Sequence, residues 1–127
     1  MLITIDPASE ASLFDQIAAS VRMNMATGLA RPGTRLPSAR DVAASLGVNL
    51  HTVLRAYQIL RDEGLVDMRR GRGAVVTDAA AHLHELHSEL KTLVAKAHVM
   101  GLGPDALASL VRDVAALDER PPSMVAR

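Results

Sequence analysis

The sequence contains no cysteine, which excludes disulfide bonds and thiolate metal sites and is typical of a reducing compartment. Its only aromatic residues are Phe14 and Tyr57, a scarcity that disfavours binding of single-stranded nucleic acid, which normally uses stacked aromatic side chains. No run of about 18 apolar residues predicts a membrane span. The first residues, MLITID, lack the basic and apolar segments of an export signal. We therefore expect a cytoplasmic protein.

The charge of the chain is balanced overall but concentrated locally. Apolar residues make up 49% of the 127 residues and charged residues 22%, which predicts one small folded domain, alone or with an appendage. The net charge is zero, yet residues 31–72 contain eight arginines and four acidic residues, a local charge of +4. Three of these arginines lie in the segment RRGRG at 69–73. Such a segment indicates a nucleic-acid surface where the arginines lie on one side of a fold.

Capping residues and apolar spacing predict the elements around this segment. After a short β-prone run at 2–5, they predict three helices, over residues 12–28, 38–47 and 49–64. Two β-prone runs at 65–68 and 74–77 then flank the arginines and predict a hairpin. Two short helices joined by a tight turn form a helix-turn-helix, to which the hairpin adds a wing. The sequence therefore predicts a mainly α fold, with a winged helix-turn-helix DNA-binding domain at residues 10–78.

The same segment resembles the winged helix-turn-helix domain of GntR-type bacterial transcription regulators. The matching pieces are the PGTRLPS loop, RDVAASLGV in the second helix, HTVLRAY in the third, and EGLV followed by RRGRG in the wing. They occur in the family's order and spacing over about residues 10–78. The resemblance implies a sequence-specific regulator of transcription that binds double-stranded DNA, most simply a repressor. No nucleophile with a base, phosphate loop or carboxylate pair stands out, so we predict no enzyme.

Candidate DNA-binding residues lie at three places in this domain. The resemblance assigns contacts to Arg40 early in the second helix, to polar residues that open the third helix, and to the wing tip. Physical reasoning adds Arg55 and the remaining wing arginines, because the first turns of such a helix meet base edges and a cationic hairpin can reach the minor groove. The full set is Arg40, Asn49, His51, Thr52, Arg55, Arg69, Arg70, Gly71 and Arg72.

Each of these assignments has a structural alternative. Asn49 is equally well explained as a helix cap, and His51 as an exposed polar residue. The arginine wing could also be a solvated turn. Leu50 and Leu54 depart from the family pattern, which has arginine at these positions in many members, although either leucine could contact a thymine methyl group.

Beyond the wing, apolar residues four and three positions apart predict two amphipathic helices, separated by glycines at 101 and 103. This short tail is similar to that of the YtrA-like branch of the family, whose members carry two helices for dimerisation in place of a large ligand-binding domain. We therefore predict a homodimer formed by residues 79–118, and a frayed end at 119–127. The alternative is that the tail folds back onto the winged domain. The predicted dimer contacts are Leu83, Leu86, Leu90, Leu93, Leu107, Leu110, Val114 and Leu117.

The tail also contains four of the five histidines. His84 and His87 are neighbours on a helix face and could share a metal ion, but no third ligand is close in sequence, so we predict no metal and no cofactor. The resemblance implies a small-molecule effector, which the sequence does not identify. Two alternative functions are a winged-helix adaptor for other proteins, which the arginine wing disfavours, and a histidine-based metal sensor.

Overall fold

The computed structural model describes residues 1–119 and has the predicted order of elements. The helices and strands are α1 (Leu13–Ala26), α2 (Ala39–Leu46), α3 (Leu50–Asp62), β1 (Val66–Arg69), β2 (Gly73–Val76), α4 (Ala79–Val99) and α5 (Pro104–Glu119). The chain divides into two compact units, Met1–His87 and Ser88–Arg127. Residues 120–127, which include all but the first residue of the predicted frayed end, lie outside the described residues, and Glu119 is the last residue of α5.

The predicted caps of the first two helices are confirmed. The Ser12 hydroxyl accepts a hydrogen bond from the backbone N–H of Asp15 at 3.2 Å, and the Ser38 hydroxyl accepts one from Asp41 at 3.1 Å. Each bond satisfies one of the free N–H groups of a first helical turn. Gly47 ends α2 with a φ of 68°, a left-handed conformation that glycine adopts without strain.

The core of the first unit lies between α1 and α3, with α2 and β1 packed against α3. Ile17, Val21, Val53 and Leu60 are fully buried there. Tyr57 is also buried, and its hydroxyl donates a hydrogen bond of 2.6 Å to the carbonyl of Pro37. This aromatic residue therefore belongs to the core and is not a stacking platform, and its burial raises the pKa of Tyr57 to about 12.

The wing is an antiparallel hairpin, and a short segment of the loop before α2 pairs with its second strand. β1 and β2 pair in a register that places Val66 opposite Val76, and both strands lie within one residue of their predicted positions. The loop before α2 adds an isolated bridge between Arg35 and Val75. Its backbone exchanges hydrogen bonds with β2, including Leu36 N–H to Ala74 O at 2.8 Å. The Pro/Gly loop is therefore part of the wing, which ties α2 to the hairpin.

The β-prone run at residues 2–5 does not form a strand. This segment instead runs along α1, whose side chains take the place of a neighbouring strand. Thr4 N–H donates to the Ser20 hydroxyl at 3.0 Å, and Asp6 N–H donates to Gln16 Oε1 at 2.7 Å. The buried side chain of Asn24 donates to the Leu2 carbonyl at 2.9 Å. An extended segment needs another strand to form a sheet, and here a helix occupies that place.

The first turns of α4 belong to the first unit, so this unit continues beyond the predicted boundary at residue 79. Ala80 is buried and Leu83 is packed, partly buried, against the core of the first unit. His84 Nδ1 lies 2.9 Å from the carbonyl of Ala26, the last residue of α1. The eight predicted dimer contacts form the apolar seam of the tail. Leu83 is engaged within its own chain, so the exposed part of this seam starts at Leu86.

The second unit contains the rest of α4 and α5. Gly101, with a φ of 84°, ends the first helix, and Pro104 opens the second as predicted. Leu102 N–H donates to Ala97 O at 2.8 Å, and Ala97 is buried. Within the described part of this unit, α5 buries none of its residues, and most large side chains of its seam are exposed. The two-helix prediction is confirmed.

Candidate nucleic-acid interface

The start of α3 is fixed by its cap. Asn49 has extended backbone angles, and its Oδ1 accepts a hydrogen bond of 2.8 Å from His51 N–H. The capping interpretation of Asn49 is therefore correct as far as its oxygen is concerned. The side chain remains exposed, so its amide NH2 group is still able to donate to a ligand.

The two faces of α3 differ sharply in composition. Val53, Ala56, Tyr57 and Leu60 are buried, which turns the opposite side of the helix towards solvent. The exposed stripe contains His51, Leu54, Arg55 and Gln58, at the three- and four-residue spacing of one helix face. The predicted contact Thr52 is half-buried, as is Leu50 at the first position of the helix.

Arg55 is held in place by an aromatic residue of α1. Its guanidinium carbon lies 4.3 Å from the centroid of the Phe14 ring. A guanidinium stacked on a ring face keeps its N–H groups at the exposed edge, where they can donate to bases or phosphates. The sequence analysis did not predict this contact, because the two residues are distant in the sequence and neither carries a local signal for the other.

The wing tip exposes all four of its predicted contacts, Arg69, Arg70, Gly71 and Arg72. Gly71 and Gly73 have φ values of 79° and 69°, the positive angles that the predicted turn requires. Arg69 Nη2 lies 3.8 Å from Asp67 Oδ2 on the same strand, so its charge is partly balanced. In residues 1–119, no ion pair involves Arg70 or Arg72.

Some arginines of the first unit are neutralised by acidic residues and others are not. Glu63 forms a bidentate pair with Arg22, with a nitrogen–oxygen distance of 2.9 Å, and Asp62 lies 3.5 Å from Arg61. Both contacts lie at the far end of α3, away from its cap. The first turn of α2 carries the exposed Arg40, which forms no ion pair within the described range. Among residues 1–119, the arginines that no carboxylate pairs with thus include Arg40, Arg55, Arg70 and Arg72.

Two of the four tail histidines have protein partners. Besides the contact of His84 with Ala26, His82 Nδ1 lies 3.4 Å from Glu85 Oε2. Over residues 1–119, no group of three or more histidine, cysteine, aspartate or glutamate side chains is arranged to bind a metal ion. None of the helices in that range combines the length and apolar character needed to cross a membrane.

The helix-turn-helix, the exposed polar face of α3 and the arginine-bearing hairpin beside it define a winged helix-turn-helix protein. Comparison with known proteins agrees with this class. The model of the gntR family of bacterial regulatory proteins matches residues 13–76. The HTH-type transcriptional repressor YtrA of Bacillus subtilis (strain 168) is 30% identical over 121 residues, which are 91% of this chain and 93% of that protein.

Solved structures are similar as well, and two of them bear on the class of protein. YtrA from Sulfolobus acidocaldarius, a GntR-family transcription factor, has a TM-score of 0.58 and 33% identity, covering 78% of this chain and 99% of that one. The DNA-binding domain of AraR in complex with operator ORX1 has a TM-score of 0.52 and covers 59% of this chain and 93% of its own. At 23% identity the AraR likeness concerns the fold.

This chain belongs to the gntR family of bacterial regulatory proteins. It is a DNA-binding transcription regulator and not an enzyme. The predicted family and function class are thereby confirmed.

Proposed function

We propose that this protein is a homodimeric repressor that binds double-stranded DNA at a palindromic operator. The observation that carries the proposal is the combination, in one compact unit, of an exposed α3 stripe and a glycine turn whose Arg70 and Arg72 have no carboxylate partner in residues 1–119. Unpaired arginines beside an exposed helix provide both parts of DNA binding, phosphate attraction and access to base edges.

In this proposal α3 lies in the major groove. His51 and Arg55 face the bases, with Arg55 directed by Phe14, and Thr52 donates its hydroxyl to the backbone or a base. Asn49 caps the helix through its oxygen and donates its NH2 group to DNA. Arg40, on the first turn of α2, contacts a phosphate, as a basic residue on the first helix of such a motif is placed to do.

The wing tip contacts the adjacent minor groove. Arg70 and Arg72 supply the positive charge, which the narrow minor groove attracts strongly. Gly71 has no side chain to hold the backbone away from the sugar-phosphate wall, and its φ of 79° is one that glycine adopts without strain. Arg69 contributes less, because Asp67 already balances part of its charge.

A second copy of the chain covers the exposed seam of α4 and α5. Six large apolar side chains of this seam are between 45% and 64% exposed, namely Leu86, Leu90, Leu93, Leu110, Val114 and Leu117. Leu107 is half-buried beside them. Burying the exposed halves contributes roughly 1 kcal/mol per side chain. A single folded chain leaves this surface in water, whereas a two-fold dimer removes it and separates two recognition helices by about 34 Å.

Repression and its release complete the proposal. The Bacillus subtilis relative is named a repressor, and a dimer seated on a promoter would exclude polymerase from it. We place the protein in the cytoplasm, the compartment of its DNA target. A small-molecule effector has a candidate site in the first unit, a largely apolar cavity of about 300 Å³ whose lining includes Met25, Ala30, Ala80 and His84. Cavities that bind small ligands start at about this volume.

Selection of bound fragments from random duplex DNA tests the proposal. We expect a two-fold symmetric motif with half-sites about one helical turn apart. If each half of the dimer neutralises about five phosphates, log K against log salt has a slope of roughly −9. The double variant Arg70→Ala, Arg72→Ala tests the contribution of the wing. It should lower the affinity and bring the slope closer to zero. Failure to enrich any motif, or a slope near zero, contradicts the proposal.

A further inference from the structure

The exposed stripe of α3 contains one apolar side chain, Leu54, among polar and charged neighbours. Leu54 is 37% exposed and is the one large hydrophobic residue that α3 leaves exposed. His51 lies one helical turn before it, Arg55 lies beside it, and Gln58 lies one turn beyond. A leucine here is placed on the surface that, in the proposed function, enters the major groove.

Leu54 takes no part in packing the core of the first unit. The side chains through which α3 holds the core are Val53, Ala56, Tyr57 and Leu60. Leu54 belongs neither to the buried core cluster nor to the partly buried hydrophobic residues packed against it, whereas Ile59 of the same helix does. Packing of the buried core therefore does not account for a leucine at this position.

The major groove offers one apolar group that such a side chain can contact. Every base pair presents hydrogen-bond donors and acceptors there, and thymine alone adds a methyl group at C5. Placing leucine against a donor or acceptor removes its water without replacing the hydrogen bond, which is unfavourable. Placing it against the thymine methyl group removes two apolar surfaces from water together.

We propose that Leu54 is a specificity-determining residue that contacts a thymine methyl group. The inference rests on the proposed function, in which the outer stripe of α3 lies in the major groove. It predicts a T·A pair at the same position of each half-site, next to the base pair that Arg55 contacts. Leu54 then selects thymine by apolar contact, while its neighbours on the stripe select their bases by hydrogen bonds.

The test replaces thymine by deoxyuridine, which differs only by lacking the methyl group. Each thymine of the selected operator is replaced in turn, symmetrically in both half-sites, and the Kd of the unaltered protein is measured. At one position we expect a loss of about fourfold per half-site, or about fifteenfold for the pair, from the value of one buried methyl group. This measurement requires no variant, so it does not depend on how a substitution affects folding.

Variants then assign the methyl contact to Leu54. Leu54→Ala should bind the thymine and deoxyuridine operators equally, because the group that distinguishes them is gone. Leu54→Met should keep most of the preference for thymine. Gln58→Ala, on the same stripe, is the matched control and should keep all of it. Thermal melting of each variant confirms that it is folded.

The outcomes separate this inference from the proposed function. An operator that is bound with no dependence on any thymine methyl group overturns the role of Leu54 and leaves the repressor proposal in place. The same holds if Leu54→Ala retains the full preference for thymine. If selection enriches no operator, the proposed function itself fails, and the role of Leu54 fails with it.

Discussion

At the scale of single residues, the arginines of this protein differ in how much charge they have left for a ligand. Arg22 and Arg61 are paired with carboxylates at the end of α3, and Arg69 is partly balanced by Asp67. A surface ion pair is weak, but it reduces the net charge available to a phosphate. The composition of the RRGRG segment cannot reveal this, because all three of its arginines look alike in sequence.

The wing arginines are therefore expected to contribute unequally. Arg70→Ala or Arg72→Ala should each make the slope of log K against log salt shallower by about 1.8 per dimer, because each copy loses one phosphate contact. Arg69→Ala should change it less. Asp67→Asn, which releases Arg69, should strengthen binding. Titration of labelled operator at several salt concentrations measures all four variants. A larger loss for Arg69→Ala than for Arg70→Ala would contradict the assignment.

Phe14 is expected to act on DNA binding through Arg55. Phe14→Leu keeps an apolar side chain but removes the ring face, so affinity should fall about three- to fivefold per half-site, the value of one exposed cation–π contact. Phe14→Tyr retains the ring and should bind normally. The decisive measurement is a double-mutant cycle with Arg55→Ala: in that background Phe14→Leu should have almost no further effect on Kd.

Tyr57 gives the fold a defined response to alkaline pH. Because burial raises its pKa to about 12, the folded protein holds the phenolic proton more tightly than the unfolded chain does. Stability is therefore fully present below about pH 10, the pKa of an unperturbed tyrosine, and falls as pH rises towards 12. Urea denaturation from pH 8 to 11 should show this fall, and Tyr57→Phe should lack it. An identical slope in both proteins would disprove the assignment.

At the scale of elements, local signals predicted well and non-local ones did not. The caps at Ser12, Ser38 and Asn49 depend on hydrogen bonds that span two or three residues, so donor and acceptor can both be read from one short stretch of sequence. The loop before α2 was different, because its pairing with β2 depends on a contact between distant segments. The β-prone start failed for the same reason: propensity cannot show which neighbour an extended segment will find.

The cap of α3 allows the two roles of Asn49 to be separated. Asn49→Ala removes the acceptor for His51 N–H and should lower the free energy of unfolding by about 1 kcal/mol. Asn49→Ser keeps a capping oxygen but lacks the NH2 group. If Asn49 also donates to DNA, Asn49→Ser should retain stability and lose affinity for the operator. Denaturation curves and Kd values for both variants check this, and unchanged affinity in Asn49→Ser would leave Asn49 with the cap alone.

At the scale of the whole molecule, periodicity predicted the two tail helices but not which chain segments their apolar faces contact. Leu83 and Leu86 continue one seam in sequence, yet the first packs on the first unit and the second is exposed. Only the packed structure distinguishes them, because both fit the same spacing. The candidate DNA contacts were predicted partly from resemblance and partly from physical reasoning, whereas the support of Arg55 and the pairing of Arg69 needed three-dimensional neighbours.

The exposed seam is expected to hold two copies together. Charges introduced at Leu93 and Leu110, as Leu93→Glu with Leu110→Glu, would be buried unpaired in a dimer, so the variant should be monomeric at tens of micromolar in light scattering. Each monomer reaches one half-site, so the salt slope should become shallower, from about −9 to about −4.5, and the affinity for the operator should drop steeply. Leu29→Glu is the control, since Leu29 is 69% exposed in the first unit and outside the seam, and this variant should remain a dimer. A natural chain that is already monomeric at these concentrations, or a doubly charged variant that still dimerises, would exclude the seam as the dimer contact.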